Sequence, residues 1–375
     1  MAGHPMSKQE GPAVAWLGRL REPVRERFFR LLEQAFATDQ GRRLLADALR
    51  GLLPDGPGER WPARAAIACT DYPELGHASA TRTQTAAAPI FITGRFRSGS
   101  TLLWQIFRKL PSMRAYYEPL NERRWFDAQH RGTRVDPTHR GVSDYWREYE
   151  GLDRLGTVFQ DSWIDRHLFM DEGFSDPDMK AYVQALIDAA GPDRAILQFN
   201  RVDFRLPWLR RTFPEAQVLH IYRHPRDQWC SSLGDLAAFP RDGHVRDFAA
   251  HDRFYLLSWA RDLQFRFPFL DEARVTHPYQ LYYFIWLLSW QYSRRHADYS
   301  VSFERLVAEP ESELPKMLSV FGIEHADIAG LKSLMVPQPQ GKWRGYADDE
   351  WFRRHESECE AVVQEFFNAP EGRSR

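Results

Sequence analysis

Apolar and polar positions follow two different rhythms along this chain. Between residues 13 and 53 the period is helical. Phe28, Leu31, Leu32 and Phe36 recur at i, i+3, i+4 and i+8, and Leu44, Leu45, Leu49, Leu52 and Leu53 repeat the pattern. Pro23 suits a helix start, Gly41 a break and Pro54 a stop, so residues 13–54 are predicted to form a helical appendage. From 55 to 88 Pro, Gly, Ala, Ser and Thr dominate without period, which predicts a linker or surface wrap. Beyond that point short, continuous apolar runs take over, at 89–93, 115–117, 195–199, 218–222 and 299–303. Such runs, separated by helical patterns, predict buried parallel strands and an α/β class: a P-loop-like parallel sheet flanked by helices.

The most apolar stretch, 279–292, is shorter than the ~20 residues that cross a bilayer. Arg294 and Arg295 follow it, and a buried aromatic helix is predicted. Aromatic residues are also dense at 142–170 and across 239–292. Those segments are natural places for an acceptor site or lid, with core packing as an equal reading. Residues 347–375 read as a C-terminal helix and tail.

Charge narrows the partners. Lys and Arg total 50 against 51 Asp and Glu in 375 residues. No global basic field therefore argues for nucleic acid, although local anion sites remain open. Cys69, Cys230 and Cys359 are isolated, which indicates neither a disulfide framework nor a zinc site. Met1 to Pro12 carries no apolar signal region. A cytoplasmic location in a reducing compartment is expected, with the oligomeric state open.

The first apolar run leads into Gly94-Arg-Phe-Arg-Ser-Gly-Ser-Thr101, and a helical pattern follows through Leu102, Leu103, Ile106, Phe107 and Leu110. Strand, Gly-rich turn and helix are the geometry of a phosphate cradle, because backbone N–H groups and the positive end of the helix dipole face an anion. The spacing Gly94-x4-Gly99-Ser100-Thr101 nearly spells a P-loop, but Ser100 stands where the lysine belongs and a basic residue comes earlier, at Arg97. The run 218–222 ends in Arg223, where a magnesium-dependent P-loop enzyme wants an Asp. An arginine there attracts a second phosphate. A nucleotide with two separate phosphate groups and no Mg²⁺ is expected.

At these residues the chain resembles sulfotransferases that use 3′-phosphoadenosine 5′-phosphosulfate (PAPS) and release PAP. Arg97-Ser98-Gly99-Ser100-Thr101 is similar to their 5′-phosphosulfate loop, in the form closest to carbohydrate, tyrosylprotein and bacterial members. Arg223 and Ser231, eight residues apart, resemble their 3′-phosphate motif, with His224 in place of the more usual Asp or Asn. The stretch from Val301 through Pro310 to Ile323 is similar to a further family element. Gly341-Lys342-Trp343-Arg344 resembles the loop that closes over the nucleotide. The four matches lie in order over residues 89–346 and imply the sulfotransferase fold.

The resemblance assigns roles residue by residue. Arg97 would stabilise charge on the leaving phosphate. The amides of Ser98, Gly99, Ser100 and Thr101, with the Ser100 and Thr101 hydroxyls, would hold the 5′-phosphate, and Leu102 is counted among the cofactor-binding residues. Arg223 and Ser231 would take the 3′-phosphate, and Lys342, Trp343 and Arg344 would close the site. An acceptor hydroxyl must lose a proton, so a general base is needed. Glu118, in Tyr117-Glu118-Pro119 at the end of the second run, is the first candidate and Glu122 the second. The alternative for Glu118 is a helix cap or a pair with Arg123. No histidine of the kind that aryl enzymes use is expected nearby, His130 being the nearest. His220 and His224 read as structural, and Asn200-Arg201 as a place for a polar acceptor contact. The expected activity is sulfuryl transfer to a sugar-like or other small-molecule alcohol. The rivals are a P-loop kinase or NTPase and a non-catalytic PAP or PAPS binder.

Overall fold

The computed structural model describes residues 88–336 and 341–368. The predicted appendage (13–54) and residues 55–87 of the predicted linker lie outside the described residues.

Five strands form one parallel sheet in the order β2-β3-β1-β4-β5. They are β1 (Ile90–Thr93), β2 (Met113–Tyr117), β3 (Arg194–Phe199), β4 (Gln217–Tyr222) and β5 (Tyr299–Ser302). Each contains or lies within one of the apolar runs, and β1, β3, β4 and β5 are buried at every position. Ile90 pairs with Ile196 on one side and Gln217 on the other, so β1 is central. The chain reverses its direction of travel across the sheet at this strand. Ligands of open α/β sheets bind at such a switch point, beyond the carboxyl ends of the strands.

The helices cover the sheet. The principal ones are α1 (Ser100–Lys109), α2 (Pro177–Ala189), α3 (Leu206–Thr212), α4 (Pro225–Leu233), α5 (Leu256–Leu263), α6 (Pro278–His296), α7 (Phe303–Ala308), α8 (Pro310–Val320) and α9 (Asp349–Asn368). Pro opens α2, α4, α6 and α8, where its missing N–H costs no helical bond. The predicted aromatic helix is α6, buried along nearly its whole length. No described helix is long and apolar enough to cross a membrane.

Apolar packing falls into two clusters. The first surrounds the sheet and includes Phe91, Trp104, Leu197, Leu219 and Val301. The second gathers around α6 and includes Trp229, Trp259, Tyr283, Trp286 and Phe352. Asp203, just after β3, links the sheet to α6 by accepting hydrogen bonds from Thr93 Oγ1 and Ser289 Oγ, both at 2.6 Å. Most of the aromatic density at 142–170 and 239–292 is therefore core, as with Tyr149, Trp163 and Trp290. Tyr145, Phe254 and Tyr255 are different, because they reach an open cleft.

Candidate active site

The carboxyl ends of all five strands open into one cleft of about 430 Å³. β1 delivers the Gly-rich loop, β2 Glu118, β3 Asn200 and Arg201, β4 Arg223, and β5 Phe303. A separate hollow of about 580 Å³ among Arg241, His244, Trp351 and Arg354 holds none of the motif residues.

The loop's shape follows from two features. Gly99 has φ 99°, a left-handed conformation, and a Cβ there would overlap the Phe303 ring, so only glycine fits. α1 then begins at Ser100 with no acidic residue in its first turn to neutralise the positive end of its dipole, while Arg108 and Lys109 in its last turn complement the negative end. Among the described residues the N–H groups of Gly99, Ser100 and Thr101 make no backbone hydrogen bond, whereas Leu102 N donates to Gly99 O at 2.9 Å. Ser98 departs from expectation. Its N–H donates to Arg95 O at 3.1 Å, and its hydroxyl is buried beneath the loop. That removes Ser98 and the Leu102 amide from the set open to an anion, although the Leu102 side chain lines the cleft.

The two arginine motifs meet. Arg97 Nε donates to Ser231 Oγ at 3.1 Å, and Arg223 Nη1 donates to Arg97 O at 3.4 Å. Gln228 Nε2, on α4, donates to Phe96 O at 2.8 Å and fixes the loop against the helix that carries Ser231. Arg97 itself has φ 66°, an uncommon conformation for a non-glycine residue and one that a rigid site must impose. Its guanidinium also faces Asp136 at 3.6 Å and Thr138 Oγ1 at 3.3 Å. Burial lowers its pKa most, Asp136 opposes that, and the neighbouring Arg223 adds to the lowering. Arg223 lies over the Phe303 ring at 4.9 Å.

The closing segment divides. Asp227 on α4 accepts from Gly341 N at 3.0 Å and Trp343 N at 3.2 Å. Lys342 lines the cleft. Trp343 does not, because its ring is buried against Phe352 with the Arg226 guanidinium over it at 4.8 Å. Arg344 stacks on the Trp343 ring at 4.5 Å and is likewise not part of the cleft lining.

At the other end, Glu118 is 8 % exposed and has φ 39°. Asn121 Nδ2 donates to its Oε2 at 2.5 Å, and Arg201 Nη1 lies 3.8 Å from the same oxygen. Burial raises the Glu118 pKa, while Arg201 and Asn121 pull it back down. A carboxyl poised this way is suited to accept a proton. Arg123 is not its partner, since it donates to the carbonyls of Arg131 and Arg134. Glu122 sits at the rim, with its side chain 43 % exposed and its Oε2 2.6 Å from Arg201 Nη2. Arg201, whose side chain is only 1 % exposed, thus grips both carboxylates, and its guanidinium lies against the neighbouring rings of Phe96 and Tyr255, at 4.9 and 5.2 Å.

A histidine does reach the cleft, and it is His139 rather than His130. His139 Nε2 is 3.4 Å from Thr101 Oγ1, Nδ1 is 2.6 Å from Tyr145 OH, and Thr101 Oγ1 is also 3.2 Å from Tyr117 OH. Burial lowers its pKa to about 4, so the ring is neutral at physiological pH. His130 instead contacts the Glu122 carbonyl at the surface. His139 carried no sequence signal, because it lies in an aperiodic stretch about forty residues from the loop it touches. His220 is buried against Ser300 Oγ, with burial pushing its pKa down to about 3.

A central strand feeding a Gly-rich loop and helix, with a second arginine at the end of the next strand, defines a P-loop-like α/β protein. A family model described as the sulfotransferase family matches residues 89–327, and the chain belongs to that family. Among solved structures it is similar to a sulfotransferase domain from the curacin biosynthetic pathway (15% identity, 77% of this chain and 94% of that one, TM-score 0.36). It is also similar to the sulfotransferase domain of a Synechococcus olefin synthase (15%, 78% and 100%, 0.32). A third similar structure is a sulfotransferase from Mycobacterium tuberculosis (18%, 72% and 76%, 0.38). No curated protein matches the chain.

Proposed function

We propose that this sulfotransferase uses PAPS as donor and transfers the sulfuryl group to a hydroxyl of a sugar-like or other small-molecule alcohol, with Glu118 as general base. The observation that carries the reading is the junction of Arg97 with Ser231 and Arg223, which joins a loop suited to one phosphate to a strand end suited to another. Two phosphate sites in one cleft suit a 3′,5′-bisphosphorylated nucleoside and exceed what a simple 5′-nucleotide asks for.

When bound, the donor supplies an activated sulfuryl group and departs as PAP. The acceptor oxygen forms the new S–O bond as the bond from sulfur to the 5′-phosphate oxygen breaks. The protein's groups manage the charge. The free N–H groups of Gly99, Ser100 and Thr101 hold the 5′-phosphate, and Arg97 stabilises the charge that grows on it. Arg223 and Ser231 hold the 3′-phosphate, and Lys342 covers that end. Glu118 takes the acceptor proton. Glu122 is the weaker candidate, because its carboxylate is engaged closely by Arg201 and lies nearer solvent.

The donor half is tested by calorimetric titration in EDTA. PAP is expected to bind without divalent metal, ATP to bind far more weakly, and Arg223→Ala to weaken PAP. ATP binding that requires Mg²⁺ would favour a kinase or NTPase instead.

A further inference from the structure

Arg253 belongs to none of the motifs and lies within the aromatic-rich segment, yet it lines the same cleft. Three features fix its place. Asp252 accepts hydrogen bonds from Leu256 N and Leu257 N, both at 2.8 Å, and so anchors the segment to the start of α5. Phe254 packs on Phe96 at 5.3 Å between ring centroids, which ties the segment to the residue beside Arg97. Gly234, at the C-terminal end of α4 with φ 79°, lies directly under the Arg253 guanidinium, where any Cβ would overlap it. Gly234 is three residues beyond Ser231, so the two are neighbours on one helical face.

The charge of Arg253 is not used within the protein. Its side chain is exposed to solvent at the cleft mouth and makes no hydrogen bond or ion pair among the described residues, and the aromatic ring it faces is that of its own neighbour Phe254, at 6.0 Å. Nearby, Arg97 has Asp136 and Arg201 has Glu118 and Glu122. Arg253 instead adds repulsion at Arg97, as Arg223 does. Three arginines held close together in a cleft, one of them with no anion of its own, form a site that awaits an external dianion.

We infer that Arg253 is a further donor-binding residue, placed to hold the 3′-phosphate together with Arg223 and Ser231. This rests on the donor assignment made above.

The test compares PAP with adenosine 5′-phosphate, which lacks the 3′-phosphate, by calorimetry on the full chain. Arg253→Ala is expected to weaken PAP by about tenfold, the scale of one charge-assisted contact to phosphate, and to leave adenosine 5′-phosphate unchanged. Unchanged PAP affinity in Arg253→Ala overturns the inference. Equal weakening of both nucleotides overturns the 3′ assignment. If the parent itself fails to bind PAP, the donor assignment falls, and the inference falls with it.

Discussion

The two ends of the cleft use arginine in opposite ways. At the donor end Arg97, Arg223 and Arg253 lie close together with Lys342, and the acidic partners are few: Asp136 at 3.6 Å from Arg97 and Glu304 at 4.0 Å from Arg223. At the proposed acceptor end Arg201 is committed, bound to Glu118, Glu122, Asn200 Oδ1 and Ile164 O and lying against two adjacent aromatic rings. One set of cations is under-neutralised and so attracts an anion. The other cation is committed, and so positions carboxylates. On the proposed function, the difference would make one a binding end and the other a proton-handling end, and two carboxylates at the latter would favour an acceptor without negative charge.

The comparison is tested first at the proton-handling end. Glu118→Gln should lower kcat by about 10²–10⁴-fold, the usual contribution of a general base, with PAP affinity retained. If turnover survives, Glu122 is the next residue to change. At the binding end Arg97→Ala should lower kcat by about 10²–10³-fold, as loss of one preorganised stabiliser of transition-state charge does. Steady-state rates beside calorimetric PAP affinities separate the two, because the arginine change should weaken PAP as well.

A smaller effect should appear in the pH profile. The base acts in its ionised form, so kcat/KM should rise with pH through the Glu118 pKa. Burial has raised that pKa and Arg201 opposes the rise. Arg201→Gln removes the opposing charge, so the acid limb should move to higher pH, with Arg201→Lys restoring part of the shift. An unmoved limb would mean that Arg201 does not act through Glu118. Burial lowers the His139 pKa, with Asp136 and Arg97 as its charged neighbours and not Arg201, so a limb due to His139 should not move with Arg201→Gln.

Acid stability supplies the smallest and most general check. His139, His277 and His355 are buried neutral, with pKa values lowered to about 4, 3 and 4, below the unfolded value of 6.5. The unfolded chain therefore takes up protons first, and stability should fall as pH drops below about 6.5, continuing toward the folded values. Thermal denaturation across that range checks it.

The loop and arginine motifs proposed to hold the donor stood out in the sequence because their residues are local to one another. Gly99, Arg97 and the start of α1 are contiguous, and Arg223 and Ser231 are set by a strand end and two turns of helix. Continuous apolar runs likewise located all five strands. The acceptor end was less legible because long-range packing builds it. Arg201 meets Glu118 from another strand, and His139 meets Thr101 across an irregular segment. Arg253 reaches the cleft only because Phe254 finds Phe96. Trp343 misled for the same reason: its place in a motif-like loop gives no sign that Phe352 and Arg226 enclose it.

Transfer itself is the most direct measurement. Incubation of the protein with ³⁵S-labelled PAPS and an extract of small molecules, in EDTA, should yield a hydroxyl compound that gains one labelled sulfuryl group. That product should be lost with Glu118→Gln and with Arg97→Ala. No labelled product above the enzyme-free control, or label incorporated from γ-³²P ATP in Mg²⁺ instead, would contradict the assignment.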